Sequence, residues 1–419
     1  MFKVLKNLKE SWISVITIVL LLIVQAAGDL TLPDYTSKIV NVGIQNGGIE
    51  NVAPEVIRKS EMENMLIFTD EDDKILASYE EISKDNLDSA EYEKLVKKYP
   101  ALENESLYRI KKISSSEQDE LDSLMTKPLM MLSVTKQMPK EQLDQMSETV
   151  NQKIDDMQES ILEQAAIQEV KNEYKSIGMD TDSIQNQYII IAGLKMLGIS
   201  LIIMISAISI MCLSARVAAR LAKTLREKVF KKVLRFSNKE FSEYSTASLI
   251  TRSTNDIQQI QGLIAILFRV LVYAPIIGIG GFLRVLNQSD NSMAWIIGVA
   301  IVAILFVVAT LFIIAMPRFK KLQQLIDKLN LVAREILTGL PVIRAFNTEK
   351  KEEKRFDKAN MDLTKTNLFV NRAMSFMMPT LMLIMNGISL LIVWVGANGI
   401  DNGTMQVGNM MAFIQYTMQ

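Results

Sequence analysis

Three ionisable side chains stand inside long apolar stretches, where a charge is costly unless it meets a partner, a cavity or water. Asp29 falls near the end of "WISVITIVLLLIVQAAGDLTL" (12–32). Lys195 lies near the start of "YIIIAGLKMLGISLIIMISAISIMCLSA" (188–215), and Arg269 lies within the apolar run 258–286. Asn386 and Gln25 are weaker polar candidates of the same kind. The chemistry open to such residues is recognition by counter-charge and hydrogen bonding. In one reading Asp29 and Lys195 pair with each other, or reach the membrane interface by snorkelling. In the other, these side chains, Arg269 foremost, line a substrate cavity. Met374, Met377, Met378, Met382 and Met385 crowd a later apolar run; thioethers either adapt to irregular apolar ligands or fill ordinary packing gaps.

Bond-making chemistry finds no residues here. The chain has no histidine, and its one cysteine, Cys212, excludes an internal disulfide framework. The acidic run "DEDD" (70–73) lacks the glycine and distal glutamate of a calcium loop and reads as a solvated hairpin turn. No G-x-x-x-x-G-K-[ST] occurs, nor any Gly-Lys pair, so no phosphate-cradling loop is available. The expected catalytic and metal-ligating sets are both empty.

The elements that must hold these residues are membrane helices, each needing roughly 20 apolar residues. The first is 12–32, closed by Pro33, and the second is 188–215. The third lies within 258–286, the fourth within 294–316 and the fifth within about 374–397; a sixth begins near Met405 and meets the end of the sequence at Gln419. Lys3, Lys6 and Lys9 precede the first span. Arg216, Arg220, Lys223, Arg226 and further lysines follow the second, and Arg318, Lys320 and Lys321 follow the fourth. The short connections 287–292 and 398–403 carry no basic residue. Basic segments therefore share one side, which predicts a plasma-membrane protein with a cytoplasmic N-terminus and residues 34–187 outside. Trp12, Trp295 and Trp394 fall at span ends, where an amphipathic ring prefers the interface.

Residues 34–187 hold 32 acidic against 17 basic residues, although the whole chain is nearly neutral at −1. The pattern predicts a small α+β domain. Residues 54–66 read as a helix; 66–70, 74–82 and 106–114 read as strands, with a helix before the last. A helical region runs from Ser116 to about Lys175, broken at Pro128 and Pro139.

Two segments, 215–257 and 317–366, keep helical periodicity and read as hairpins projecting roughly 30 Å from the membrane, given 1.5 Å per residue. In the first, periodicity restarts after a cap signal at "STND" (253–256). In the second, Gly339 and Pro341 mark a bend. "STASLITRSTNDIQQIQ" (245–261) resembles the first intracellular loop of ABC transporters with the type IV exporter fold. "REILTGLPVIRAFNTEKKEEKRFDKAN" (334–360) resembles their second loop. The resemblance covers 1–33 and about 188–419; the large outer insert departs from the simplest members.

The resemblance implies a mainly α membrane protein: a six-helix exporter-type transmembrane domain with long cytoplasmic helical extensions, plus the α+β outer domain. It implies the permease part of an ATP-driven exporter of drugs, lipids or peptides working by alternating access. Short coupling helices would dock into ATPase domains, carried over here to Phe241, Tyr244 and Ser248 in the first loop. In the second they fall within Leu322–Leu331, including Asp327. Partners implied are a second identical or homologous half, nucleotide-binding domains with their ATP and magnesium, and membrane lipids, with no nucleic acid. The sequence is expected to be the membrane part of a longer chain whose ATPase domain lies beyond residue 419. The outer domain would gate exit, recognise a peptide or stabilise the paired subunit. A membrane-anchored sensor signalling through its cytoplasmic helices, and a channel or secondary transporter, are the other function classes considered.

Overall fold

The computed structural model describes residues 11–84, 86–137, 159–237, 239–240, 245–286 and 293–419. The chain divides into two units, residues 1–291 with 396–417 and 419, and residues 292–395 with 418.

In the first unit, helix α1 (Trp12–Lys38) continues as a π-helical turn, Ile39–Gln45. Pro33 does not close it. A proline leaves the carbonyl four residues back without its donor, and here the Asp29 carbonyl accepts instead from Gln419 Nε2 at 3.0 Å. The long helix placed after the insert, Thr181–Val233, runs 53 residues and packs along α1 through Ile18, Leu22, Ile210, Val217, Ala218 and Leu221. Asp180 caps its start by accepting from the backbone N–H groups of Asp182 and Ser183.

Between those two helices stands a three-stranded antiparallel sheet of order β1-β3-β2: β1 (Val56–Arg58), β2 (Tyr79–Ile82) and β3 (Leu107–Ile110). Tyr108 faces both Ile57 and Glu81 across the central strand. Helices α2 (Lys59–Leu66), α3 (Asp72–Ala77), α4 (Ser89–Lys98), α5 (Ser115–Gln137) and α6 (Glu159–Ile177) complete the insert. Val56, Met62, Met65, Ile75, Leu107, Met125, Val170 and Ile177 are fully buried in one core. With the insert helices numbered, Thr181–Val233 is α7.

Several local expectations are corrected. Residues 54–66 begin as strand, because buried Val56 and Ile57 pair with β3, and only then turn helical. Residues 66–70 are no strand: Met62 and Met65 continue the helical period, and Phe68 and Thr69 close the turn onto Met65 and Leu66. Residues 74–82 split into helix and strand. The acidic run is a helix start, with Asp72 and Asp73 in the first turn of α3, where the helix dipole favours negative charge. Pro128 lies inside α5; Pro139 is outside the described residues.

The unit then continues as one helical stretch, α8 (Thr246–Thr251), a π-turn, α9 (Ile257–Phe268), a second π-turn (Arg269–Tyr273) and α10 (Ala274–Leu286). The restart expected at "STND" lies earlier. Ser245 caps Ser248, while Ser253 and Thr254 donate to the carbonyls four residues back instead of capping.

The second unit contains α11 (Ala294–Thr338), α12 (Leu340–Ala345) and α13 (Glu349–Asp401), the last ending in the first unit. Back in the first unit, α14 is Val407–Met418. Among the described residues five stretches are long and apolar enough to cross a membrane: Trp12–Gln45, Thr181–Val233, Thr246–Leu286, Ala294–Thr338 and Glu349–Asp401. At 12 residues α14 is too short to count among them.

Candidate functional site

The sequence-predicted polar residues of the spans are only partly brought together. The carboxylate of Asp29 accepts a hydrogen bond from the hydroxyl of Tyr273, at the end of the second π-turn. Lys195 is exposed on α7 and forms no pair with Asp29, so the expected ion pair is not made. A tyrosine hydroxyl meets the carboxylate instead, at less desolvation cost than a second charge. Arg269 opens the same π-turn, and its side chain is outside the described residues. Asn386 is exposed on α13, in the other unit, and Gln25 is half-buried on α1.

What sequence reading missed is a polar clamp where α1 meets α14. Asn41 is buried, 6% exposed. Its Nδ2 donates to Ser37 Oγ (3.2 Å) and Asn409 Oδ1 (3.0 Å), and Ser37 Oγ donates to the same Asn409 oxygen (2.8 Å). Asn41 Oδ1 accepts from the Gly408 backbone N–H at 2.7 Å. Gln406 supplies no side-chain cap to α14, so Asn41 caps that helix from another one, satisfying a donor that the helix cannot. Gly408 is required by this approach. A Cβ there would stand 2.4 Å from Asn41 Oδ1 and 2.5 Å from the Ser37 carbonyl oxygen. The available signal was two lone amides in apolar runs, "IVNVGI" and "VGNMMAF"; such side chains join membrane helices.

One turn toward the bilayer, Asp34 ties three helices. Arg284 Nη1 of α10 meets Asp34 Oδ2 at 2.9 Å, and the Tyr416 hydroxyl of α14 donates to Asp34 Oδ1 and to the Leu30 carbonyl. At Gly280 a Cβ would come within 2.5 Å of Leu30 Cδ1, so glycine lets α10 lie against α1.

At the opposite end of the long helices the chain turns. After α7, Ser237 and Glu240 form a reciprocal cap. The Ser237 N–H and Oγ donate to Glu240 Oε2 (2.8 and 3.0 Å), and the Glu240 N–H donates to Ser237 Oγ (3.3 Å). The backbone hydrogen bond from Ser237, with its hydroxyl, holds the Glu240 carboxyl below its ordinary value. Phe241 and Tyr244 lie outside the described residues; Ser248, half-buried, sits in the first turn of α8.

The second turn is a correction. Leu322–Leu331 is no separate helix: Leu322, Asp327 and Leu331 lie in the unbroken α11. The chain turns at Gly339, with Pro341 in the first turn of α12 and Asn347 at φ 53° before α13. Pro341 cannot donate within α11 and would clash with its preceding turn, so the helix ends before it. Leu337, Val342 and Phe346 are left exposed at this turn, 72%, 60% and 75%. Arg355 on α13 binds Glu335 on α11 and Glu352 on its own helix, fastening the two arms just behind the tip.

Residues 155–419 match the family model of the ABC transporter transmembrane region. The chain belongs to the ABC transporter family. It is 35% identical over 229 residues to an uncharacterised ABC transporter ATP-binding protein of Mycobacterium tuberculosis, covering 54% of this chain and 39% of that protein. A Bacillus subtilis ABC transporter ATP-binding protein is 31% identical over 235 residues, 55% of this chain and 40% of its own. The ATP-dependent lipid A-core flippase of Pseudomonas aeruginosa is 28% identical over 208 residues, covering 48% and 33%. The chain thus spans about 40% of the first two relatives and a third of the flippase. An ABC exporter transmembrane region explains five membrane-length helices joined by long helical arms, and it makes this a multi-pass membrane protein.

Proposed function

We propose that this region is the permease part of an ATP-driven exporter that moves drugs, lipids or peptides by alternating access. What carries the reading is the family match over helices that far outrun a bilayer. α7 and α13 each have 53 residues, about 80 Å at 1.5 Å per residue, against a hydrocarbon core of about 30 Å. The excess is a pair of stiff arms ending in turns, the first of them closed by the Ser237–Glu240 cap. In this proposal those turns, around Ser237–Ser248 and at α12, dock into nucleotide-binding domains that bind ATP and magnesium. Leu337, Val342 and Phe346 supply the apolar contact at the second turn. A second identical or homologous half completes the pathway. The N-terminus is cytoplasmic and the insert at 34–187 is extracellular, as the basic-residue distribution argues. Asp29 with Tyr273, and Arg269, remain the cavity candidates. The sensor alternative has no support from the family match.

The test is transport by the intact protein with its partner half in inside-out vesicles, using a panel of fluorescent drugs, labelled lipids and peptides. ATP-dependent movement of at least one class is expected. Intact ATP hydrolysis with no movement of any class overturns the exporter reading. Cysteines at Ser89 and Ser237, placed in a Cys212→Ser background, check the topology. On intact cells an impermeant thiol reagent should label only the first.

A further inference from the structure

The second unit carries an apolar cleft of about 270 Å³ between α11 and α13, lined by Val308, Phe312, Met316, Phe319, Met374 and Met377 among others, all of them apolar. Phe312 is 60% exposed, and Val308, Met316, Phe319 and Met374 are exposed between 40% and 44%, so among the described residues nothing covers the cleft. Its position along the two helices follows from the rise of an α-helix. Trp295 and Arg318 are 23 residues apart on α11, about 34 Å, and Arg372 and Trp394 are 22 apart on α13, about 33 Å. Both intervals match a hydrocarbon core of about 30 Å. With the tryptophans at one interface, Arg318 and Arg372 sit together at the other, joined by Lys320 and Lys321. The cleft occupies the half of the bilayer leading up to them.

The charges at this mouth are one-sided. No acidic residue occurs on α11 before Asp327, nor on α13 between Asp362 and Asp401. Among the described residues none of the four cations forms an ion pair, whereas Arg355 further along α13 binds Glu335 and Glu352. Arg318 is held at the mouth by its guanidinium lying over the Phe369 ring, 4.6 Å from its centroid. Methionine at three of the lining positions suits a flexible hydrocarbon guest.

We propose that this cleft binds one acyl chain of an anionic phospholipid, with the phosphate group at Arg318 and Arg372, in the bilayer leaflet on the basic side. Under the topology proposed above this is the cytoplasmic leaflet. The pairing of an apolar groove with unneutralised cations at headgroup depth is the chemistry by which inter-helix sites select anionic lipids. The site needs the helices to span a bilayer and does not depend on what the protein transports.

The test measures lipid binding to the purified intact protein in detergent by native mass spectrometry. Dioleoyl phosphatidylglycerol is titrated against dioleoyl phosphatidylcholine. Wild type should prefer phosphatidylglycerol. The R318Q/R372Q variant should bind it on the order of thirtyfold more weakly, at roughly a factor of five per cation near a charged surface, with phosphatidylcholine unchanged. R318K/R372K should retain the preference and controls for folding. M377W, which fills the cleft, should weaken both lipids. Equal binding of the two lipids by wild type, or unaltered selectivity in R318Q/R372Q, overturns the proposal. So does efficient disulfide dimerisation in membranes of M374C in a Cys212→Ser background, because a second copy would then cover the cleft.

Discussion

Replacing Asn41 by leucine removes the clamp between α1 and α14 while keeping the side chain's approximate size. Three hydrogen bonds are lost, those to Ser37, to Asn409 and from Gly408. The bond to Ser37 lies within α1 and its π-turn; interhelical hydrogen bonds between membrane helices average about 0.6 kcal/mol, so the two that reach α14 together account for roughly 1 kcal/mol. The Gly408 N–H adds to this, because it becomes an orphan in a buried place, and losing a helix cap costs about 1 kcal/mol. The expected total is therefore about 2 kcal/mol, and at 1.4 kcal/mol per tenfold change an opened α14 should become about 30-fold more populated. Met405, 5% exposed just before α14, is the reporter position. In a Cys212→Ser background, Met405→Cys should be alkylated by a water-soluble reagent that much faster when Asn41→Leu is added. Gln45→Leu, at an exposed position on the same π-turn, should leave the rate unchanged. If Asn41→Leu also leaves it unchanged in a folded protein, the clamp does not hold α14 and the capping argument fails.

Three further outcomes are expected. Phe346→Ala with Val342→Ala should lower the transport achieved per ATP hydrolysed in vesicles while leaving ATP binding intact, since an exposed apolar anchor at an interface commonly accounts for about 2 kcal/mol or more; an unchanged ratio would exclude that turn from coupling. Arg58→Ala should destabilise the insert by about 3–5 kcal/mol, measured by thermal unfolding of the intact protein. It strips the buried Glu173 of a backbone-anchored, two-pronged partner at 2.7–2.9 Å. Burial raises the Glu55 carboxyl, but hydrogen bonds from Lys98 and Tyr99 outweigh it and leave the group below its ordinary 4.5. A depressed carboxylate stabilises the fold above its unfolded value and loses that contribution as pH falls through the folded one. Glu55→Gln should accordingly flatten the loss of insert stability below about pH 4.5, and an identical acid profile would refute the assignment.

Much of the scaffold could be read from the sequence because bilayer thickness and charge placement act over whole segments. Thr181–Val233 and Ala294–Thr338 each contain an apolar run followed by cations, and Trp12–Lys38 contains one preceded by them. Where single residues decide, the sequence was less informative. Pro33 looked like a stop, yet a carbonyl freed by proline can be satisfied from a distant residue, as Gln419 does for Asp29. The turn at Gly339 and Pro341 is legible from its breakers, whereas the resemblance places a short helix at Leu322–Leu331, a segment that the structure holds inside the unbroken α11. Asn41 and Asn409 are 368 residues apart, and each run shows a lone amide without showing that the one donates to the other.

The long helix between insert and first turn contains no glycine or proline from Ile199 to Val233. A rod without a weak point cannot absorb a tilt by bending. With about 30 Å of its length in the hydrocarbon and about 80 Å in all, any rocking of the embedded part sweeps the free end through a larger arc. In the proposed exporter distance itself would then serve as the amplifier, and a glycine pair placed midway along the arm would act as a slack joint, silencing the tip without altering a single contact at either end.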